Sequence, residues 1–95
     1  MKHLHSARNQ RLRQRLRAIR ESAGVTQVEM AQRLGKPQSY VSKYESGERR
    51  LDVLEFADVC DALGASPATV LRDALSVTED PPTLVAPDPS KSKAR

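Results

Sequence analysis

The sequence predicts an all-α protein: a five-helix domain over residues 6–76 and a disordered tail over 77–95. Three observations carry this. Apolar residues recur at helical spacing in successive stretches, and no alternating run suggests a strand. Glycines 24, 35, 47 and 64 fall between those stretches, where helices end or turn. From Val77 onward, VTEDPPTLVAPDPSKSKAR holds Pro81, Pro82, Pro87 and Pro89 and ends basic, a composition that cannot bury enough apolar surface to order itself.

The first helix is expected from Ser6 to Ala23, because Leu12, Leu16, Ile19 and Ala23 form one stripe. Thr26 opens the second: in TQVE its hydroxyl can accept from the amide three residues on while Glu29 reaches back, a capping box. Met30, Ala31 and Leu34 supply its buried side and Gly35 ends it. The third begins near Pro37, whose fixed φ suits a first helical turn, and runs to Glu45; SGER with Gly47 is a turn. Val53, Phe56, Val59, Cys60 and Leu63 give the fourth helix, Asp52 to Leu63. Ser66 caps the fifth ahead of Pro67, and Val70, Leu71, Ala74 and Leu75 mark its apolar side.

With 95 residues, 38% of them hydrophobic and 3% aromatic, the chain suits one domain with a thin core. No apolar run approaches the roughly 18 residues that cross a bilayer. MKHLHSARNQ lacks the apolar stretch of a signal peptide, so a cytoplasmic protein is expected. Cys60 is the only cysteine and lies on the apolar stripe, where it reads as a core residue. His3 and His5 have no ligand pattern around them, and no metal or other cofactor is expected. Nor is an enzyme: no Cys/His or Ser/His/Asp set and no glycine-rich phosphate loop can be assembled.

The net charge of +4 is unevenly placed. RNQRLRQRLRAIR carries Arg8, Arg11, Arg13, Arg15, Arg17 and Arg20 with no acid, whereas Asp52, Glu55, Asp58 and Asp61 recur at every third position. Such asymmetry suits a polyanion approached from one side. Successive helix positions turn by about 100°, so the arginines cannot all face one partner. Most of Arg11, Arg13, Arg15 and Arg17 are expected to be solvated or paired with the acids of the fourth helix. Those acids read as a surface that avoids a polyanion and can meet a protein.

The second and third helices, joined by a turn containing Gly35, make a helix-turn-helix. Ala31 is small where the helices cross, Gly35 supplies a positive φ, and Val41 plugs the crevice. With Val41 and Tyr44 facing inward, the other side of the third helix carries Gln38, Ser39 and Lys43, flanked by Tyr40 and Ser42. Gln pairs bidentately with adenine, Lys donates to guanine, and Ser suits either. Gln27, Lys36, Arg49 and Arg50 frame this face with phosphate-binding groups, and Tyr40, read as exposed, can pack on the sugar-phosphate backbone.

VTQVEMAQRLGKPQSYVSKYESGERRL resembles the helix-turn-helix of the Cro and phage-repressor type, the xenobiotic-response-element (XRE) regulators, over about Leu12 to Leu75. The resemblance rests on Thr26-Gln27, Ala31, Leu34-Gly35, Val41-Ser42 and Glu45-x-Gly47. It implies a five-helix DNA-binding domain that commonly binds operators as a dimer. By position it implies a phosphate contact for Gln27 at a helix N-terminus, base-reading roles for Gln38, Ser39 and Lys43, and a partly buried ion pair between Arg20 and Glu45. Pro37 stands where the family often has a Ser or Thr cap.

The sequence is therefore read as an operator-binding repressor, a homodimer on double-stranded DNA. The alternative is an antitoxin or adaptor that binds a protein partner through the acidic fourth helix or the TLVA segment, Thr83 to Ala86.

Overall fold

The computed structural model describes residues 6–77. Of the tail expected to be disordered over 77–95, Val77 is described and its carbonyl accepts from Arg8 Nε at 3.0 Å, while residues 78–95 with the TLVA segment, and His3 and His5 at the other end, lie outside the described residues. Five helices follow in order: α1 (Ala7–Ser22), α2 (Gln27–Leu34), α3 (Gln38–Ser46), α4 (Val53–Leu63) and α5 (Pro67–Leu75). Among the described residues there is no strand, and no helix is long and apolar enough to cross a membrane.

Local chemistry explains where the helices start. Ser6 accepts from the Asn9 amide at 3.0 Å and opens α1. At α2 the Thr26 hydroxyl accepts from the Glu29 amide at 3.0 Å, and the Glu29 carboxylate accepts from the Thr26 amide at 2.8 Å. Asp52 and Glu55 repeat that capping box at α4, at 2.8 and 2.9 Å. Ser66 caps α5, with Pro67 in its first turn. Only α3 lacks a side-chain cap: Pro37 holds the extended conformation before it and offers no hydroxyl.

The core joins all five helices. Leu16, Met30, Val41, Tyr44, Val59, Cys60 and Val70 are fully buried, with Val25, Ala31 and Ala74 nearly so. Each larger apolar side chain contributes about 1.5–3 kcal/mol by leaving water. Cys60 packs within this core, and burial raises the pKa of its thiol.

Several sequence expectations fail at the margins of the stripes. Val53, assigned to the buried side of α4, is 79% exposed; it stands in the first turn at the edge of the stripe. Leu71 and Leu75 of α5 are exposed, while Val70 and Ala74, one position earlier in each turn, face the core. Ala23 is exposed and caps α1 instead of extending it.

The arginines of α1 do not pair with α4 as expected. Arg11 binds the Asp73 carboxylate of α5 with both oxygens engaged, at 2.8 and 3.0 Å, and Arg15 lies 3.8 Å from it. Arg17 pairs with Glu21 one turn along its own helix at 3.0 Å, and Arg13 turns toward α3. The reason is packing: α1 lies mainly against α5 and α3, with little of α4 beside it.

Candidate nucleic-acid interface

Helices α2 and α3 pack on each other across a short turn. Gly35 ends α2 with φ of 67°, a left-handed conformation that costs other residues about 1–2 kcal/mol. The Lys36 amide then donates to the Ala31 carbonyl at 3.0 Å and closes the turn. Val41 is wholly buried and Ala31 nearly so, which fixes α3 by its inner side.

The outer side of α3 faces solvent. Gln38, Ser39, Ser42 and Lys43 are exposed, and the side chains of Ser39, Ser42 and Lys43 make no hydrogen bond or ion pair among the described residues. Tyr40, expected to be exposed, is half-buried instead, because its ring meets Tyr44 edge-on at 5.7 Å.

Behind this face runs a chain of hydrogen bonds that spans three helices. Arg20 of α1 donates to both oxygens of Glu45, at 2.7 and 3.0 Å, and to the Val25 carbonyl at 2.7 Å. These side chains are buried, 8% exposed for Arg20 and 4% for Glu45. The hydrogen bonds to Glu45 hold the guanidinium above its ordinary pKa. Gln27 at the start of α2 donates Nε2 to Glu45 Oε1 at 3.0 Å. Its Oε1 then accepts from Gln38 Nε2 at 3.3 Å. A carboxylate can only accept, so Glu45 forces the Gln27 amide nitrogen inward and its oxygen outward. That fixes which way Gln38 turns: one N–H goes to Gln27, while its carbonyl oxygen and second N–H remain for a partner in solvent.

A second cluster borders the face. Lys36 Nζ lies 5.4 Å and the Arg49 guanidinium carbon 4.8 Å from the centre of the Tyr40 ring, both within cation–π range. Arg49 in turn grips Glu55 with both terminal nitrogens, at 3.0 and 2.7 Å. Arg50 is exposed beside it. Desolvation raises the Tyr40 hydroxyl pKa.

The Arg49 hydrogen bonds, aided by the Asp52 amide, hold the Glu55 carboxyl at about 2 instead of 4.5. Between those values the folded protein keeps Glu55 ionised where the unfolded chain has already bound a proton. The stability it confers is therefore complete above pH 4.5 and lost as pH falls toward 2. Glu29 and Asp73 are lowered too, by Thr26 and Arg11 respectively. We expect the urea midpoint to fall across this window, and Glu55→Gln to fall less steeply. Parallel curves would exclude the Glu55 contribution.

Sequence reasoning missed Arg13. Its guanidinium lies over Gly47, donating to the Glu45 carbonyl at 3.1 Å and so tying α1 to the end of α3. A Cβ on Gly47 would meet the guanidinium carbon at 2.9 Å, and the Gly47 φ of 92° already disfavours a side chain. No local signal in the sequence marks this contact.

Residues 11–75 match the model of a family described as a helix-turn-helix domain. An XRE-family like protein from Pseudomonas syringae pv. tomato superposes with a TM-score of 0.72 and 49% identity, covering 79% of this chain and 92% of that one. ClgR, a clp gene regulator from Corynebacterium glutamicum, gives 0.66 and 36%, covering 73% and 90%. The restriction-modification controller protein C.AhdI from Aeromonas hydrophila gives 0.61 and 29%, covering 65% and 94%. No curated protein matches the sequence.

Proposed function

The chain belongs to the XRE-type helix-turn-helix family and is a DNA-binding transcription regulator; from that premise we propose that it represses by occupying an operator, reading it with α3 in the major groove. The single observation that carries this reading is the oriented Gln38 amide. Its outward carbonyl oxygen and N–H are the acceptor and donor that match N6 and N7 of adenine. Lys43, exposed on the same side, suits the acceptors of guanine, and Ser39 suits either base.

Around this face Lys36, Tyr40, Ser42, Arg50 and Gln27, the last through its main-chain amide at the N-terminus of α2 because its side-chain amide is held by Glu45 and Gln38, are the proposed backbone contacts, which position α3 without choosing a sequence. Arg49 joins them only where Glu55 releases it. The compartment is the one that holds the DNA, the cytoplasm. The proposed assembly is a homodimer on two half-sites one helical turn apart. Leu71 and Leu75, exposed one turn apart on α5, support α5 as the contact between copies.

Asp52 and Glu55 of the acidic stripe are spent on capping α4 and on Arg49.

Selection of bound duplexes from a random pool, at two salt concentrations, tests the proposal. The expected result is one enriched motif containing an adenine and a guanine, bound by a mechanism whose affinity falls steeply with salt. Recovery of unenriched sequences at both salts would overturn sequence-specific reading.

A further inference from the structure

Arg49 was expected from the sequence to grip phosphate, and its position after α3 suits that role, yet both terminal nitrogens of its guanidinium are already engaged. Both terminal nitrogens donate to Glu55, at 3.0 and 2.7 Å, and one also reaches the Arg50 carbonyl at 3.3 Å. One face of the group lies on the Tyr40 ring. A carboxylate and a phosphate fit the guanidinium fork in the same bidentate manner, so Glu55 fills the end-on edge that a phosphate could use and neutralises the charge that would attract one. Neither partner moves easily. Glu55 Oε1 also accepts from the Asp52 amide at 2.9 Å, so swinging the carboxylate away opens the capping box of α4. Arg49 cannot turn outward without leaving Tyr40.

We propose that Glu55 is a positioning residue that withholds Arg49 from DNA: it occupies the guanidinium as an internal substitute for phosphate and so weakens the grip on every duplex alike. The inference rests on the DNA-binding reading above. The residues that choose the sequence, Gln38, Ser39 and Lys43, lie outside this pair, so the ratio between preferred and other sequences is unaffected. What changes is the number of cations that replace counterions on the duplex, and with it the salt dependence. A regulator restrained in this way releases target and non-target DNA sooner by the same factor.

The test uses the full chain and two duplexes, the selected site and a scrambled one, with binding measured between about 50 and 200 mM salt. Glu55→Gln is the informative variant, since glutamine keeps the size and serves a capping box equally well. Both duplexes should tighten by a similar factor, about fivefold near 0.1 M salt, and the slope of log K against log salt should steepen by about 0.9, one additional phosphate. Arg49→Ala alone should leave the slope unchanged, and adding Glu55→Gln to it should produce no gain.

A merely structural role for the pair would shift the thermal midpoint and leave the slopes alone, which overturns the proposal. So would a gain from Glu55→Gln that persists without Arg49, because general charge removal would then explain it. A slope flattened by Arg49→Ala would show that Arg49 already meets a phosphate, and this too overturns the proposal. Should circular dichroism find Glu55→Gln unfolded, the Arg49→Ala slope decides by itself. Failure of the wild type to bind either duplex would instead overturn the DNA-binding reading, and this inference with it.

Discussion

Replacing Glu45 with alanine is expected to cost about 3–5 kcal/mol, because it strands the Arg20 guanidinium in a site where it is 8% exposed. Small domains are stable by about 5–15 kcal/mol in total, so the loss removes a large share of the stability that a domain of this size has. Urea denaturation checks this: the midpoint should fall sharply while the denaturant slope holds. Glu45→Gln, which keeps acceptor oxygen for Arg20 and Gln27 but not the charge, should lie between. A loss under about 1 kcal/mol for the alanine variant would mean that Arg20 finds water on its own. The variant has a second consequence. Without the carboxylate the Gln27 amide is free to reverse, and the orientation of Gln38 is lost even in molecules that remain folded. Binding-site selection below the unfolding temperature should therefore show a blurred adenine.

Lys43→Ala is the second large effect, on binding instead of folding. Its side chain is exposed and engages nothing among the described residues, so removal leaves no buried group unsatisfied. On the preferred duplex the loss should be about 1–3 kcal/mol, roughly five- to 150-fold in affinity, with one base position relaxed. The thermal midpoint should stay within the small range of surface changes. Titration of the preferred and scrambled duplexes in parallel separates the outcomes. Equal losses on both would assign Lys43 to the backbone and remove it from the reading set.

The fold is legible in the sequence because its signals are local. Thr26 with Glu29, Asp52 with Glu55 and Ser66 with Pro67 each mark a helix start within a few residues, and Gly35 marks a turn. The outer side of α3 follows from assigning Val41 and Tyr44 inward. What is not legible depends on which helices become neighbours. Asp73 lies 62 residues from the Arg11 that it binds, and periodicity cannot choose between it and the acids of α4. The same holds for Gln27 and Gln38, whose direct bond needs both helices in place. The Arg20–Glu45 pairing is reached through family resemblance alone. Val53 is misplaced for a different reason: helical spacing identifies a stripe but not how far along it neighbouring helices extend.

The solitary thiol at Cys60 gives the molecule a built-in clock. Because that residue has none of its surface open to solvent, an alkylating reagent reaches its sulfur only during excursions that part α4 from its neighbours. The pace of its labelling thus counts those excursions directly, in crude extract as well as in a cuvette, with no engineered tag to disturb them.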